Sequence, residues 1–382
     1  MRRCWGSARW AVLLALVALT IPVSARAILP GQLPLPPEPT PLCESEAPGP
    51  SAPAPVDDGE LRIATYNVLH TQDSDGLATI EQRIPMLVAA IQGSGADVAG
   101  LQEVAKSGDH GLVARRLAAG LATATGESWS WCWFASNPHV HYEPETNPGG
   151  GGGPLTELAA TGAGAQSGNG SEFREGLAIV SRLPILEASV VRLPLRVHEA
   201  AACVPPDPFG CNFAALFDSR ALLHARVDTA SGLLDLYTSH IAHGLTVLSD
   251  DMKLRQVNAA LDHIDATAAE DVLPDVFVGD FNSVEGDPRH QAVLARGFVD
   301  TFRVANPGVD GFTGGQDVVG PAPTVSERID YVFARPGTCE LDVIESHVFG
   351  DTPEPREDAP GTVWPSDHFA VVTALVPVCP TL

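Results

Sequence analysis

An apolar run that stops at two polar residues is the clearest structural signal in this sequence. The run Val276–Val278 has the composition of a buried strand, and Gly279–Asn282 follows it at once. A strand of this kind delivers the carboxylate of Asp280 and the amide of Asn282 to the rim of a sheet. Side chains that perform chemistry commonly lie at such an edge, on loops held by a rigid scaffold. The segment therefore predicts a functional site at a sheet edge.

Several other predicted strands also begin or end with acids, amides or histidines. The full set is Asn67, Gln102, Glu103, Glu175, His240, Asp280, Asn282, Asp330, Asp367 and His368. Each residue alone is compatible with a turn or with a solvated charge at a strand end. Assigning all of them to ordinary loops requires many coincidences, so we take them as candidates for one shared site.

The pattern of strands and helices predicts an α/β fold. Eight segments have the pattern of strands, namely Leu61–Val68, Val98–Leu101, Leu177–Val180, Ala221–Val227, Leu233–Thr238, Val276–Val278, Ile329–Phe333 and Ala370–Val376. One helix is predicted to be capped by Ser249, with Leu254, Val257, Leu261 and Ile264 on one face. Another is predicted over Met86–Ile91, with Pro85 near its first turn. Many strands with few interposed helices predict paired sheets flanked by helices, an α/β sandwich.

The first 59 residues have the composition of a secretory signal followed by a linker. Residues 1–27 combine Arg2 and Arg3, an apolar run over Trp10–Val23 and a small-residue exit at Ala25–Ala27. A membrane anchor is the alternative, but the run is short for a span. We expect cleavage and a secreted or periplasmic protein without a transmembrane anchor, and the arginine pair leaves the export route open. Residues 28–59, rich in proline, are expected to form an extended tether that Cys43 can pin to the domain.

The remaining chain, residues 60–377, is expected to form one domain. The glycine-rich stretch 147–170 interrupts it, with strand patterns on both sides. We therefore expect a mobile surface insertion there instead of a domain boundary.

The charge of the chain argues against nonspecific nucleic-acid binding. The formal net charge is −24, and removal of the signal, which contains four arginines and no acid, makes it −28. The only lysines are Lys106 and Lys253. Such a chain lacks the basic footprint of a tight polyanion binder. A nuclease is still allowed, because a divalent metal ion supplies positive charge locally.

Cysteine usage favours disulfides over a zinc site. Six cysteines remain after signal removal, and an even number in an exported protein favours pairing. Cys203 and Cys211 bracket a short proline-rich loop and are the first candidates for a pair. The chain contains no Cys-x-x-Cys motif, which argues against structural zinc.

Trp129, Trp131 and Trp133 alternate and so share one face of a predicted strand. A stacking platform for a ligand is one interpretation. Core packing is the favoured one, because aromatic residues at a period of two usually face a core.

The candidate residues lie in motifs that resemble those of the endonuclease/exonuclease/phosphatase superfamily, in the same order and over residues 60–376. The matching segments are Thr65–Asn67, Leu101–Val104, Gly176–Arg182, Ser239–His240, Gly279–Asn282, Arg328–Val332 and Ser366–His368. The resemblance implies a four-layer α/β sandwich with two packed mixed β-sheets flanked by helices. It also implies hydrolysis of phosphate esters with Mg²⁺, or Mn²⁺ in its place, and it gives no indication of a stable protein partner.

The resemblance also implies a role for each matched residue. Glu103 matches the metal-binding glutamate, and Asn67 and Asp367 match residues near the metal. Asp280 and Asn282 match the pair that orients the nucleophilic water and the phosphate. Asn67 is also expected to bind the substrate. His368 matches a catalytic histidine oriented by Asp330, and His240 matches a second histidine on the phosphate. The predicted catalytic residues are His240, Asp280, Asn282, Asp330, His368 and Glu175. The predicted metal ligands are Glu103, Asn67 and Asp367. The predicted substrate-binding residues are Asn67, Arg220 and Asn282.

A narrower similarity, to pancreatic-type deoxyribonucleases, brings in Glu175 and Arg220. Glu175 lies where those enzymes carry the glutamate partner of the second histidine, and Arg220 follows a disulfide loop and would contact DNA phosphate. The insertion at 147–170 and the longer loop between Cys203 and Cys211 depart from that branch. Taken alone, Glu175 is equally compatible with a solvated charge and Arg220 with a surface ion pair.

Three functions are therefore weighed. The first is a nuclease that acts on DNA, and the second is a phosphodiesterase or phosphatase for lipid headgroups or small molecules, as in sphingomyelinases. The third is a secreted binding module that has the fold without the activity. Because every matched catalytic position is filled, the binding module is the least favoured of the three. The similarity to deoxyribonucleases at Glu175 and Arg220 makes the nuclease the leading prediction.

Overall fold

The computed structural model describes residues 40–47, 59–69, 74–107, 110–137, 174–194, 220–243, 250–268 and 273–378. The predicted signal, the glycine-rich insertion and the loop between Cys203 and Cys211 lie outside these ranges. None of the helices in the described ranges combines the length and apolar content needed to cross a membrane.

The first sheet carries half of the candidate site at one edge. Its strand order is β1-β5-β6-β3-β2-β16-β13, and β4 pairs with β3. These strands are β1 (Leu42–Glu46), β2 (Leu61–Asn67), β3 (Val98–Ser107), β4 (Gly111–Leu112), β5 (Trp129–Asn137), β6 (Arg174–Ser181), β13 (Glu340–Phe349) and β16 (Ala370–Val378). Because β2 and β3 are parallel, with Asn67 opposite Gln102, their carboxyl ends reach the same edge.

The second sheet carries the other half. Its order is β11-β12-β10-β9-β8-β7. The strands are β7 (Ile185–Arg192), β8 (Ala221–Thr229), β9 (Gly232–His240), β10 (Asp275–Asp280), β11 (Val299–Asp300) and β12 (Asp330–Arg335), and a separate ribbon pairs β14 (Glu354–Pro355) with β15 (Thr362–Val363). Parallel pairing of β9 with β10 sets His240 opposite Asp280. Antiparallel pairing of β10 with β12 sets Asp280 opposite Asp330.

Helices cover the outer faces of both sheets and complete four layers, as predicted. They are α1 (Ser74–Ser94), α2 (Val113–Thr125), α3 (Asp250–Thr267) and α4 (Pro288–Ala295). The short helix α5 (Thr301–Ala305) instead places Phe302 in the apolar cluster between the two sheets. One apolar cluster lies between the first sheet and α1 and α2, a second lies between the two sheets, and a third lies between the second sheet and α3 and α4. Three stacked cores of this kind hold the two sheets in a fixed relation.

The helix predicted over Met86–Ile91 is much longer than expected. It begins at Ser74, so that Pro85 lies in its interior and not in its first turn. An interior proline costs about 3 kcal/mol. The helix continues because Ile80, Ile84 and Leu87 are buried in the first cluster, and each such side chain contributes about 1.5–3 kcal/mol. Burial outweighs the local penalty at this position.

Helix α3 and the tryptophan strand agree largely with their predictions. Val257, Leu261 and Ile264 of α3 are buried, whereas Leu254 is only half-buried. The three tryptophans of β5 belong to the first apolar cluster, and the Trp133 indole donates to the Val104 carbonyl oxygen at 2.9 Å. The favoured interpretation, core packing, is therefore what the structure shows.

Part of the proline-rich segment predicted as a linker joins the first sheet. Strand β1 pairs antiparallel with β5, and Cys43 lies directly opposite Cys132. The two cysteines form a disulfide, with 4.1 Å between their Cα atoms. The predicted attachment of the segment through Cys43 is confirmed. Cys339 is disulfide-bonded as well.

Gly279 is expected to tolerate no side chain. Its φ is 151°, and a Cβ atom built on it would lie 2.0 Å from the carbonyl oxygen of Ser239. Gly279→Ala should lower the free energy of unfolding by about 3 kcal/mol, because both chains at this contact are backbone and cannot turn aside. Urea denaturation measures the change. Gly93→Ala is the control: nothing lies within 4 Å there, and alanine in a helix should cost nothing. Equal stability of the two variants would contradict the prediction.

Candidate active site

The candidate site lies where one edge of the first sheet meets one edge of the second. Asn67, Glu103, His240 and Asp280 come from the carboxyl ends of the parallel pairs, and Asp330 and His368 come from the amino ends of antiparallel neighbours. Opposite strand directions thus bring six side chains from both sheets to one place. Most of them are buried, and Glu103 is half-buried.

A glycine and a buried amide bring the two sheets close together beneath the site. A Cβ atom on Gly100 of β3 would lie 2.4 Å from Val278 Cγ2 and 2.8 Å from Thr238 Oγ1. Next to this contact, Gln102 Nε2 donates to Thr238 Oγ1 at 2.9 Å and to the Gly100 carbonyl oxygen at 3.1 Å. Gln102 therefore joins the strand that carries Glu103 to the strand that ends at His240. The sequence placed Gln102 at a strand end but did not indicate this role.

Asn67 holds two carboxylates side by side. Its Nδ2 donates to Glu103 Oε1 and to Asp280 Oδ2, both at 3.1 Å. Its Oδ1 accepts from the backbone N–H of Leu69 at 3.1 Å. Each amide atom thus has partners of the matching kind, which fixes the orientation of the amide. In this arrangement the nitrogen of Asn67, not its oxygen, faces the acids.

Three residues at the site hold unusual backbone conformations. Among the described non-glycine residues, only Leu69, Glu103 and Asn282 have positive φ, at 57°, 56° and 45°. Glu103 lies in a break of the β3–β6 register between Leu101 and Val104. A bulge of this type re-aims a side chain, and such strain persists only where the surroundings enforce it. Sequence patterns did not indicate these conformations, since none of the three residues is a glycine.

His368 is held by Asp330. Its Nδ1 lies 2.9 Å from Asp330 Oδ2, and its Nε2 lies 3.8 Å from Asp280 Oδ2. Burial alone lowers the pKa of His368, but the charge and hydrogen bond of Asp330 outweigh burial and raise that pKa well above its ordinary value. Asp330 is itself placed by backbone: its N–H and that of Ile329 both donate to Thr313 Oγ1 at 3.2 Å. The pair therefore presents a protonated imidazole to Asp280.

His240 approaches Asp280 from the other side. Its Nε2 lies 3.4 Å from Asp280 Oδ2 and 3.1 Å from Asn282 Nδ2, and its Nδ1 lies 4.0 Å from Glu103 Oε1. Asn282 is fixed by two further hydrogen bonds, from its N–H to Asp280 Oδ1 at 2.8 Å and from Nδ2 to the Ile241 carbonyl oxygen at 2.9 Å. Because the Asn282 amide donates, the neutral tautomer of His240 has its proton on Nδ1.

Asp280 is the electrostatic centre of the group. Its burial and the nearby charge of Asp330 raise its pKa to about 7, against the opposing effects of His368, the Asn282 N–H and Asn67. A carboxylate with this pKa shows that negative charge is costly at this point in the fold. The His368 imidazole and the two amide donors, the Asn282 N–H and the Asn67 side chain, offset only part of that cost.

The donor set fits a divalent metal ion that prefers oxygen. Asp280, Asp330 and His368 offer ligand atoms within 4.8 Å of one another. His368 Nδ1 already bonds Asp330 and the ring is protonated, so carboxylates are the better donors. Asp330 Oδ1 is buried without a hydrogen-bond partner in the described structure, and Glu103 adds a half-buried carboxylate nearby. Hard cations such as Mg²⁺ bind oxygen ligands of this kind and keep water for the substrate.

The structure also describes the other three predicted residues. Asp367 is half-buried; its Oδ1 accepts from Ser366 Oγ at 3.3 Å and its backbone oxygen accepts from the Gln316 N–H at 3.0 Å. Glu175 is buried in β6 opposite Ala105, and Arg220 is buried directly before β8. The catalytic, metal-binding and substrate-binding roles assigned to all of the site residues remain predictions.

Comparison with known proteins identifies the family. The model of the Endonuclease/Exonuclease/phosphatase family matches residues 64–368. A family protein from Beutenbergia cavernae DSM 12333 is similar in structure, with a TM-score of 0.56 and 24% identity over 84% of this chain and 72% of that chain. A mannosyl-6-phosphatase from Bacteroides thetaiotaomicron VPI-5482 has a TM-score of 0.55 and 18% identity over 83% of this chain and 99% of that chain. D. rerio TDP2 complexed with single strand DNA product has a TM-score of 0.50 and 17% identity over 83% of this chain and 99% of that chain.

At these identities the solved structures show a shared fold, and no curated protein matches the chain. The family match spans every residue of the site described above, from Asn67 to His368. It also agrees with a buried acidic group that suits a divalent cation. The chain belongs to the endonuclease/exonuclease/phosphatase family, and it is a metal-dependent hydrolase of phosphate esters.

Proposed function

We propose that the protein is an exported, Mg²⁺-dependent phosphodiesterase that cleaves DNA. The observation that carries the proposal is the placement of two imidazoles on one buried carboxylate: the Nε2 atoms of His240 and His368 lie 3.4 and 3.8 Å from Asp280 Oδ2. Hydrolysis of a diester needs a proton removed from water and a proton given to the leaving oxygen. Two imidazoles at one site supply both functions.

Asp280 and Asn282 orient the attacking water and the phosphate in this mechanism. His368 is protonated by virtue of Asp330, and it gives the proton on Nε2 to the leaving oxygen. His240, whose Nε2 accepts a hydrogen bond from Asn282, is the neutral partner on the side of the water. When bound by Glu103 and its neighbouring carboxylates, Mg²⁺ offsets charge on the phosphate. Positioning and electrostatics account for most of the rate in reactions of this type.

DNA as the substrate is supported by the residues around the catalytic group. By sequence, Glu175 and Arg220 match residues of deoxyribonucleases, and TDP2, a neighbour in fold, has been solved with single-stranded DNA. With a net charge of −24 the chain cannot attract DNA over long range. We therefore expect weak DNA binding that depends on the metal ion and is strongest at the scissile phosphate.

A phospholipid headgroup is the second candidate substrate, and one observation favours it. Val284 and Phe312 are exposed, at 44% and 38%. Val284 lies two residues after Asn282, and Phe312 precedes Thr313, which binds the backbone of Asp330. Apolar side chains next to the site would suit a substrate presented at a lipid surface.

Export is supported by the signal pattern of residues 1–27 and by the disulfide between Cys43 and Cys132. Disulfides of this kind persist in oxidising compartments and are rare in the cytosol of mesophiles. We propose a secreted or periplasmic location.

A substrate panel with one variant pair tests the DNA assignment. Plasmid DNA, sphingomyelin vesicles and bis(p-nitrophenyl) phosphate are compared with and without Mg²⁺. Glu175→Gln should reduce DNA cleavage by about 10²-fold, nearly as much as His240→Ala, if Glu175 orients that imidazole. Glu187→Gln, at an exposed position of β7, is the matched control and should cleave normally. Cleavage of sphingomyelin but not of plasmid, or full DNA cleavage by Glu175→Gln, would overturn the assignment.

A further inference from the structure

Helix α1 places a fully buried arginine behind the site. The side chain of Arg83 is 0% exposed. Its Nη1 donates to the carbonyl oxygens of Val68 at 3.0 Å and Pro365 at 3.1 Å, and its Nη2 donates to that of Leu69 at 3.4 Å. Its Nε donates to Thr79 Oγ1 within the same helix at 3.2 Å. One guanidinium therefore binds backbone from two segments that are far apart in sequence.

Both of these segments carry site residues. The first segment continues directly from Asn67, and the second leads through Ser366 to His368. A further bond joins them, from Ser366 Oγ to the Asn67 carbonyl oxygen at 2.6 Å. Arg83 thus sets the distance between the amide that holds Glu103 with Asp280 and the imidazole that faces Asp280.

The first segment also needs support of this kind. Leu69 has a φ of 57°, and its N–H orients the Asn67 amide. A residue other than glycine keeps a positive φ only when surrounding contacts enforce it. The Arg83 guanidinium supplies such contacts on both carbonyl groups that flank the turn, those of Val68 and Leu69.

Only an arginine suits this position. Its planar fork directs several N–H groups along fixed, divergent lines, so that three carbonyl oxygens are met at once. A lysine ammonium keeps the charge but has three rotatable donors on a flexible stem and cannot fix the same spacing. Burying a charge is costly, so a lysine that leaves donors unmet would not hold the two segments in register.

We propose that Arg83 is a positioning residue for phosphoester hydrolysis, which fixes Asn67 and His368 relative to one another without touching the substrate. The inference concerns the hydrolytic centre itself and holds for any phosphoester. Failure of the DNA assignment would leave it intact, because the assay uses bis(p-nitrophenyl) phosphate.

Arg83→Lys and Arg83→Ala test the proposal, with Arg116→Ala as the matched control. Arg116, in α2, also binds α1, through two hydrogen bonds to Glu81, but both of these side chains are partly exposed. A misplacement of about 1 Å can cost 10²-fold in rate, and we expect a loss of about this size in kcat for both Arg83 variants. KM should change little, and Arg116→Ala should keep its kcat. Each variant is compared at equal folded fraction, measured by circular dichroism.

Chemical rescue separates positioning from general stability. Millimolar guanidinium chloride should raise the kcat of Arg83→Ala at least tenfold, whereas the same concentration of ammonium chloride should not. His368→Ala should gain nothing from guanidinium. If Arg83→Ala does not fold, the kcat of folded Arg83→Lys alone tests the proposal: a low value supports it and a normal value contradicts it.

Three results would overturn the proposal. They are a normal kcat in folded Arg83→Lys, a rescue that fails in folded Arg83→Ala, and failure of both variants to fold, since the role would then be structural alone.

Discussion

Replacing Glu103 by glutamine is expected to reduce phosphoester hydrolysis by about 10³-fold or more. The predicted role of this carboxylate is to bind the metal ion, and a metal ion supplies several kcal/mol of transition-state stabilisation. Glutamine keeps the shape of the side chain and an oxygen that accepts from Asn67 Nδ2. The fold should therefore survive, and only the negative charge is lost. Steady-state kinetics on bis(p-nitrophenyl) phosphate measures the loss, with circular dichroism as the folding check.

Metal removal should have the same consequence. EDTA is expected to abolish hydrolysis, and Mg²⁺ or Mn²⁺ should restore it in the native protein but poorly in Glu103→Gln. Glu345→Gln, which changes an exposed glutamate on β13, is the matched control and should respond like the native protein. Full turnover by the chelated protein or by Glu103→Gln would refute the metal role of this residue.

The same acidic group predicts how metal stabilises the fold at different pH. The folded pKa of Asp280 is about 7, above the ordinary 3.8, so folding favours the protonated carboxyl. The contribution of Asp280 to the stability of the metal-free protein is therefore full below the ordinary pKa and is lost as the pH rises through about 7. A bound divalent ion would offset the negative charge that Asp280 gains when it loses its proton. Added Mg²⁺ should accordingly raise Tm more at pH 8 than at pH 5, as thermal unfolding can measure.

Loss of His368 is the second large effect. His368→Ala should reduce kcat by about 10²–10⁴-fold, the range for a side chain that transfers protons. Asp330→Asn should lower kcat in the same direction, because the imidazole loses both its charge partner and the acceptor that selects its proton position. His347→Ala, at an exposed histidine on β13, should leave kcat unchanged. A native rate in His368→Ala would remove this residue from the mechanism.

The sign of the pKa change in Asp330→Asn gives a readout independent of activity. The Asp330 charge raises the pKa of His368, so removal of that charge should lower the pKa. The protonated fraction of His368 at neutral pH then falls. Histidine NMR titration of the metal-free protein, with His368→Ala to assign the resonance, measures the shift. An unchanged or higher pKa would contradict the assigned pairing.

Eight strands of the two large sheets could be predicted because their signal is local, whereas β7 and β13, whose side chains are mostly exposed or half-buried, were not predicted. Runs such as Leu61–Val68 and Val276–Val278 contain the residues that pack on pleated, buried surfaces. The arrangement of two sheets back to back is a set of contacts distant in sequence, and its prediction depended on the ordered motifs of a known superfamily. The start of α1 was missed for the same reason, since burial of Ile80 and Ile84 decides it and not the proline rule.

The site was predicted as a set of residues but not as a geometry. Polar residues at strand ends, such as Asn67, Asp280 and His368, stand out against apolar neighbours. The positive φ of Glu103 and the approach of the sheets at Gly100 depend on neighbouring strands, so no local pattern indicates them. Arg83 was missed because a single arginine in an amphipathic helix has the pattern of an exposed charge. Its carbonyl partners become visible only when the chain is folded.

The disulfide between Cys43 and Cys132 has a consequence for self-association. Strand β1 covers β5, and without it β5 would be the last strand of its sheet, with unpaired backbone groups beside three tryptophans. An exposed edge of that composition is a template for pairing with another molecule. The bond spans 89 residues, and closing such a loop is worth about 4–5 kcal/mol in the loop-entropy model. Reduction would therefore do more than loosen one strand: it would release the cover that keeps each copy of the protein from binding the next.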